Sequence, residues 1–515
     1  MDNGDGLAVR NGQCGGDSQE TIADRTTTST SSVGNQPQDS GDGDATRVPP
    51  AQQVLPPAGM PLFEVGRSNV RFRECAATCV SGALKEAKES FPELNEYAWP
   101  QRGSAAELTS LLLQAGNHNP VPAPAGLLEA CDRLLTKYPK APVDAVLRSW
   151  DTAELKKRLM YIIRTEIKRD ASPGVPFAGL AVTNGELIDT HSRMLVECAY
   201  ERLMLLASGV DLSQATAVDL VENGYCDPVR LFVKQEPHSR RKMRQRRYRL
   251  ISSVSITDQI IERLLFGFQN RYEISMWHSI PSKPGMGLSL ESQTNLLFSD
   301  IRAKANIRKA ACADISGFDW SVQEWEFEAE LYMRLKMMEP SLTDNPRLES
   351  AVRNRFACFS LSLFQLSDGT LIAQLVPGIM KSGSYLTSSM NSRIRCLMAE
   401  IIGAPWCIAM GDDSVEGFVP DAAEKYARLG HTCKQYDECP RDYDDILESV
   451  EFCSHHMQEG LSFLVPWPKT LYRYLSVKNP QFSDLKAELG TNPIWPKLEK
   501  YLESVQLAQP TKQVQ

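Results

Sequence analysis

Apolar residues recur at helical spacing through much of the chain that follows residue 60. A spacing of three or four positions puts these residues on one face of a helix, which can then pack against a core. The pattern predicts helices over 107–114, 126–138, 154–169, 186–209 and 256–273.

Short apolar runs bounded by polar or basic loops predict strands in four segments of the chain. LFVKQEP at 231–237 and RLISSVSI at 249–256 flank a basic loop. KAACADISGFDW at 309–320 is a strand that ends in acids, and CIAMGDDSVEGF at 407–418 has the pattern of a hairpin around Gly-Asp-Asp. A glycine-containing turn and a long helix are predicted between them, over 378–402.

The predicted elements after residue 420 are shorter. They are a helix over 421–429, a strand around 433–436, a hairpin over 451–465 and a mainly helical remainder. The helices and the strand pairs together predict an α+β fold.

The first 60 residues have a different composition. They are rich in Gly, Ser, Thr, Asp, Gln and Pro and contain few large apolar side chains. Such a segment cannot bury enough surface to offset its chain entropy, so residues 1–60 are predicted to be a disordered N-terminal tail. Ordered patterning begins near residue 61.

Charge and cysteine content narrow the class of protein. The net charge of −8 argues against a protein that coats nucleic acid with its whole surface, although it allows a local basic channel. Thirteen cysteines, an odd number, favour free thiols in a reducing compartment. No apolar run approaches the roughly 18 residues of a membrane span. We therefore expect a cytosolic protein, whose association with any membrane would come through a partner.

Three aspartates are candidate metal ligands. Asp314 ends one predicted strand, whereas Asp412 and Asp413 stand at the tip of the predicted hairpin, after Gly411. Nucleotidyl transfer uses two divalent cations about 3.5–4 Å apart, and Mg²⁺ prefers carboxylate oxygens. Strands placed side by side would gather the three carboxylates, with Mn²⁺ able to substitute for Mg²⁺.

The order of several motifs resembles a known family. DISGFD (314–319), SGSYLTSSMN (382–391) and MGDDSVE (410–416) look like the three central palm motifs of positive-strand RNA virus polymerases. SPGVPF, the basic segment 233–251, LGHTCKQYDEC and EFCSHH resemble four further motifs of these enzymes. The sequence around these motifs, such as WPKTLYRYL, resembles that of polymerases from the sobemovirus group and its polerovirus relatives. The resemblance covers about 61–500.

The resemblance implies a closed right hand with fingers, palm and thumb. Fingers are expected over 61–290, a palm over 291–455 with a fingers insertion at about 321–377, and a thumb with the C-terminal tail over 456–515. The implied activity is RNA-directed RNA synthesis that replicates a positive-strand genome. Implied partners are the RNA template, nascent RNA, NTPs and other viral replication proteins such as the genome-linked protein, at membrane-associated replication complexes.

Residue roles follow from the matching motifs. Asp319 is implied to sense the ribose 2′-hydroxyl with Asn391, a contact that distinguishes RNA from DNA. Thr387 and Asn391 lie four positions apart, on one helix face. Lys434 is implied to act as a general acid near the pyrophosphate, with Lys425 as a rival. Further implied substrate contacts are Ser382, Gly383, Lys234 and Arg249. Implied RNA contacts are Ser172, Gly174, Pro176, Arg240, Arg241, Lys242 and Arg244.

Rival functions remain open on the residues alone. A reverse transcriptase or DNA polymerase would carry a bulky aromatic in place of Asp319 and usually Tyr before the hairpin aspartates. A non-catalytic RNA-binding protein would explain the basic loop, which holds eight cations from Lys234 to Arg249 against one glutamate. It would not require carboxylates at two strand ends. A two-metal phosphatase or nuclease often uses histidines that are missing here. The cysteine and histidine spacings between 431 and 456 fit no zinc template.

Overall fold

The computed structural model describes residues 61–72, 82–288, 290–440, 447–477 and 481–505. The predicted disordered tail, residues 1–60, lies outside these residues. Helices α1–α9 are Gly82–Ser90, Ser104–Ala115, Leu127–Leu135, Val146–Ser149, Thr152–Thr165, Asn184–Leu206, Ala217–Glu222, Arg240–Arg244 and Ile256–Ser275. Helices α10–α18 are Glu291–Ala305, Phe318–Ser321, Glu324–Leu342, Pro346–Ser360, Thr387–Ile402, Ala422–Arg428, Trp467–Ser476, Phe482–Leu489 and Trp495–Ser504.

Strands in the described part of the chain pair into sheets of five, four, three and two strands. Strands β1–β7 are Leu62–Arg67, Tyr97–Ala98, Val229–Val233, His238–Ser239, Leu250–Ser253, Ala310–Ile315 and Leu363–Gln365. Strands β8–β14 are Thr370–Gln374, Cys407–Met410, Asp413–Gly417, Cys433–Glu438, Val450–Phe452, His455–Gln458 and Leu461–Leu464. The predicted α+β class is confirmed.

The five-stranded sheet has the order β1-β8-β7-β3-β5. Its strands β3 and β5 are the two predicted strands that flank the basic loop, and they pair antiparallel. Strands β7 and β8 come from the predicted fingers insertion, so the insertion and the first segment of the predicted fingers share one sheet. The domain boundaries themselves stay predictions.

The four-stranded sheet has the order β11-β6-β10-β9 and carries the aspartates. Alternation along its strands gives it two packing faces. Helix α10 covers one face, where Phe298 and Ile301 pack with Ile408 and Val415. Helices α14 and α15 cover the other face. Covered on both faces, the sheet is a rigid support for side chains at its strand ends.

The segment predicted as one hairpin over 451–465 is a three-stranded antiparallel sheet, β12-β13-β14. Cys453 and Ser454 have φ of +50° and +60° and form the two-residue turn between β12 and β13. Such turns have the twist that tight hairpins favour, although non-glycine residues rarely adopt this conformation. The sequence contains no Gly or Asn here, which explains why the additional strand was missed.

The helices after β14 pack with a segment from the other end of the described chain. Leu84, Phe91 and Leu94, in and after α1, share a buried core with Leu471 of α16 and Leu498 of α18. The predicted thumb is thus built around residues that the boundaries assign to the fingers. Apolar spacing predicted the helices α16–α18 but not this partner, because the two segments are nearly 400 positions apart.

Candidate active site

Two neighbouring strands bring the candidate metal ligands together. Strands β6 and β10 are antiparallel, with Ser414 paired to Ala313. Continuing that register by one residue puts Asp413 opposite Asp314, on the same face of the sheet. Gly411 has φ +64° in the turn between β9 and β10, a conformation that other residues disfavour. The predicted arrangement of adjacent strands with Asp412 and Asp413 at the hairpin tip is present.

The three carboxylates repel one another electrostatically. Burial, and then the charges of Asp412 and Asp314, raise the pKa of Asp413 to about 7. The carboxylate of Asp314 contacts the ammonium group of Lys434. Among the described residues no three acidic, histidine or cysteine side chains already form a metal-binding cluster. The oxygen donors suit a hard divalent cation, whose charge would relieve the repulsion.

Asp319 and Asn391 form the predicted pair. The Asn391 side-chain amide donates to Oδ1 of Asp319 at 2.9 Å, joining α11 to α14. Desolvation, and then the charge of Asp412, raise the pKa of Asp319 to about 7. Asp319 is therefore within electrostatic reach of the Gly411–Asp412 turn, and Asn391 fixes the direction of its carboxyl group.

The loop that precedes α14 packs against strand β5. The Ser382 hydroxyl accepts a hydrogen bond from the Ser252 amide at 3.1 Å. A Cβ on Gly383 would lie 2.1 Å from the Ser252 carbonyl oxygen, so only glycine allows this approach. The Thr387 hydroxyl donates to the Lys381 carbonyl at 2.7 Å. These contacts hold the loop, and the substrate roles of Ser382, Gly383 and Thr387 stay predictions.

Glu236 joins the two implied phosphate ligands to a third cation. Its carboxylate lies 3.1 Å from Lys234, 2.9 Å from Arg249 and 2.9 Å from Lys469 of α16. Burial alone would raise the pKa of Glu236, but Arg249, Lys469 and Lys234 outweigh it and lower the pKa to about 2. One acid thus links both ends of the basic segment to the predicted thumb.

Further cations lie near this cluster. Desolvation, and then the charges of Arg249, Arg247, Lys469 and Lys434, lower the pKa of Lys242. Their mutual repulsion shows a surplus of positive charge on the side of the basic loop that faces Lys434. The rival Lys425 instead donates to the Ile402 carbonyl at the end of α14. Of the two candidates, Lys434 is the one that reaches an aspartate.

Three further basic residues, Arg240, Arg241 and Arg244, lie on the short helix α8. Arg240 donates from Nε to the Asn95 carbonyl at 2.6 Å, towards the segment that packs with the predicted thumb. Arg241 and Arg244 are exposed. Their roles in binding RNA stay predictions.

The Ser-x-Gly-x-Pro loop packs against the start of α9. Gly174 has φ +73°, and a Cβ there would lie 2.9 Å from Ser255 Cα. The Ser172 hydroxyl accepts from the Gly174 amide at 3.3 Å, whereas Pro176 is exposed. The close approach to Ser255 explains why residue 174 is glycine. The roles of Ser172, Gly174 and Pro176 in binding RNA stay predictions, and of the three only Pro176 is exposed.

His238 connects the two ends of the basic segment. Its burial makes the stability of the fold depend on pH in the acidic range. Its Nε2 accepts from the Arg249 amide at 2.9 Å, and its Nδ1 lies 2.8 Å from the Glu236 carbonyl. Burial lowers the pKa of His238 to about 4, from an ordinary value of 6.5. Falling pH protonates the unfolded chain first, so stability is present above pH 6.5 and is lost between pH 6.5 and 4.

The expected loss of unfolding free energy from this group is about 3 kcal/mol. Urea unfolding of wild type and His238→Gln across pH 4–8 measures it. Because glutamine does not titrate, the difference between the two curves should change through this window. Curves that run parallel from pH 8 to pH 4 would contradict the assignment.

Sequence reasoning missed several residues of the site. Lys469 and Arg395 were not selected, and Arg247 was counted only as one of the cations of the loop. Arg395 follows Asn391 by four positions on α14 and is fully buried. An arginine on a helix stripe that already holds Thr387 and Asn391 was an available signal, but Lys469 had none.

Comparisons with known proteins identify the family of the chain. A family model described as viral RNA-directed RNA-polymerase matches residues 81–467. The replicase polyprotein P2AB of Southern cowpea mosaic virus is 51% identical over 87% of this chain and 47% of its own length. Protein P1-P2 of Potato leafroll virus is 36% identical over 76% of this chain and 38% of its own. The chain thus spans about half the length, or less, of these curated relatives.

A solved structure has the same fold. The Sicinivirus 3Dpol RNA dependent RNA polymerase aligns with a TM-score of 0.54 and 17% identity, covering 78% of this chain and 80% of that one. The α+β right-hand polymerase fold is thereby confirmed, as is the resemblance to the sobemovirus and polerovirus proteins. On the family match and these relatives, the chain belongs to the viral RNA-directed RNA polymerases.

Proposed function

We propose that this chain replicates the positive-strand RNA genome of a plant virus by joining NTPs on an RNA template, through two-metal nucleotidyl transfer at Asp314, Asp412 and Asp413. The observation that carries the proposal is the register of β6 and β10, which sets Asp314 opposite Asp413 beside the Gly411–Asp412 turn. A fold that needed these residues only for packing would not gather carboxylates that repel one another.

Divalent cations fit this site. The family generally uses them, and the three carboxylates supply oxygen donors. Burial, and then the charges of Asp412 and Asp314, raise the pKa of Asp413 to about 7. Asp314, Asp412 and Asp413 would hold Mg²⁺, or Mn²⁺ in its place. When bound, such ions activate the attacking 3′-hydroxyl and neutralise the leaving pyrophosphate. Asp314 would exchange its contact with Lys434 for the metal.

The neighbouring residues supply recognition of the NTP. Asp319, oriented by Asn391, would accept a hydrogen bond from the ribose 2′-hydroxyl. Lys234 and Arg249 would exchange part of their pairing with Glu236 for the triphosphate, whose charge is larger. Lys434, once released by Asp314, would donate a proton to the pyrophosphate. Lys434 already contacts Asp314, and the charge of Arg249 acts on Asp319.

RNA and partners complete the proposal. Ser172, Gly174 and Pro176 would border the template, and Lys242 with Arg241 and Arg244 would bind RNA phosphates. No helix in the described residues is long and apolar enough to cross a membrane. We infer that the protein works in the host cytoplasm, at membrane-associated complexes to which other viral replication proteins, such as the genome-linked protein, recruit it.

The test is incorporation of labelled NTPs on a single-stranded RNA of defined sequence. The expected product is the complementary RNA, made with Mg²⁺ or Mn²⁺, lost in EDTA and lost when the template is left out. Nearest-neighbour analysis of the product distinguishes copying from terminal addition. The same reaction with dNTPs distinguishes RNA synthesis from reverse transcription.

A non-catalytic RNA-binding protein would give a different result. It would retain RNA through the cations of the basic loop, in EDTA as well as in Mg²⁺, and would form no phosphodiester bond. Folded protein that binds RNA in this way without any product on any template would overturn the proposed function.

A further inference from the structure

Helix α14 holds the metal-binding turn by its backbone. We propose that Arg395 is a positioning residue for this site: with Ser392 it clamps the Gly411–Asp412 turn and so sets the direction of the Asp412 carboxylate. The inference rests on the proposed function, because it assigns the residue a role in divalent metal binding at that same site.

Two side chains of α14 form hydrogen bonds with the backbone of the turn. Arg395 donates from Nε to the Asp412 carbonyl at 3.1 Å. Ser392 accepts from the Gly411 amide at 2.8 Å, and its own hydroxyl donates to the Ser388 carbonyl at 2.6 Å. The two peptide groups that flank the Gly411–Asp412 peptide are thereby fixed by one helix.

The position of the turn depends on these bonds. Strand β9 ends at Met410 and β10 begins at Asp413, so Gly411 and Asp412 lie outside the strand pairing that fixes their neighbours. The bonds to α14 supply the restraint that the sheet does not. The same helix carries Asn391, which bonds to the ribose-sensing Asp319. Helix α14 therefore fixes the position of Asp319 relative to the metal-binding turn.

The guanidinium of Arg395 is suited to this role by its surroundings. Its side chain is fully buried, and Nη2 donates to the Ser414 hydroxyl at 2.5 Å. Glu416 lies 3.9 Å away as the counter-charge, and both its oxygens accept from the Tyr426 hydroxyl at 2.8 Å. A planar fork can satisfy these partners together with the Asp412 carbonyl, whereas a lysine ammonium cannot reach all of them.

Arg393 provides a matched control on the same helix. It is equally buried, but its partners are Glu330 at 2.8 Å and Glu273 at 2.9 Å, both away from the turn. Replacing either arginine by lysine disturbs a buried ion pair. Only the change at position 395 also removes a bond to the turn.

The experiment measures Mn²⁺ binding by electron paramagnetic resonance, without nucleotide or RNA, in full-length wild type, Arg395→Lys, Ser392→Ala and Arg393→Lys. Residues that orient metal ligands usually change affinity by about 10- to 100-fold. We expect Arg395→Lys to weaken Mn²⁺ binding about tenfold and Ser392→Ala less. Arg393→Lys should lower the melting temperature but keep Mn²⁺ affinity within about twofold of wild type.

Kinetics give a second readout. Arg395→Lys should lower kcat and raise the Mn²⁺ concentration for half-activation, with KM for NTP unchanged. Ser392→Ala, a smaller change, decides the matter if Arg395→Lys does not fold. Wild-type affinity in the folded variants, or equal weakening in Arg393→Lys, would overturn the inference. The proposed function fails separately, if wild type makes no RNA or if Asp412→Asn binds Mn²⁺ as wild type does.

Discussion

Replacing Asp412 by Asn is expected to lower the rate of RNA synthesis at least about a thousandfold while leaving the metal-free protein as stable as wild type, or more stable. The amide keeps the size of the side chain but cannot supply the anionic oxygen that a divalent cation needs. Loss of activity with a retained or increased melting temperature is the signature of a metal ligand. Replacing a residue that is needed for packing would instead lower both the activity and the melting temperature.

The stability half of this prediction follows from the neighbouring acids. Burial, and then the charge of Asp412, raise the pKa of Asp413 and of Asp319, each to about 7. A carboxyl group with a raised folded-state pKa destabilises the fold once the pH exceeds its unfolded value. At pH 8 in EDTA, removing the Asp412 charge should therefore restore on the order of 1 kcal/mol of unfolding free energy.

Thermal unfolding in EDTA and single-turnover incorporation in Mg²⁺ measure the two halves. Asp421→Asn is the matched control, because Asp421 is exposed at the start of α15 and has no side-chain cap there. It should change neither quantity. An Asp412→Asn protein that retains more than about a tenth of wild-type activity would exclude Asp412 as a required ligand.

Local signals in the sequence predicted the elements that carry the chemistry. Asp314 ends a short continuous apolar run, and Asp412 and Asp413 follow a short strand and a glycine, so the strand ends and the turn could be read from neighbouring residues alone. The Asn391–Asp319 bond was expected from the motifs and is present at 2.9 Å. Pairing of the two strands then required only that both had apolar faces to bury.

Contacts between distant segments could not be predicted in this way. Lys469 reaches Glu236 across 233 positions, and no spacing rule connects an α16 lysine with the basic loop. The place of Arg395 on the helix face of Asn391 could be read from the sequence, but its bond to the Asp412 carbonyl, 17 positions away in another element, could not. The Cys453–Ser454 turn was missed because its backbone conformation is forced by tertiary packing on residues that rarely adopt it. The sequence thus predicts the reactive carboxylates better than the side chains that position them.

Removing either member of the Asp319–Asn391 pair is expected to reduce the preference for NTPs over dNTPs by about 10- to 100-fold, the range for a lost hydrogen bond to a charged group. Asp319→Ala removes the acceptor of the 2′-hydroxyl, and Asn391→Ala removes the amide that orients the Asp319 carboxyl group. The ratio of kcat/KM for ATP to that for dATP on one RNA template measures the preference. If the two act as one unit, the double variant should lose no more than Asp319→Ala alone. Additive losses, or an unchanged ratio with a uniformly slower enzyme, would show that the pair supports the fold of the site and does not read the sugar.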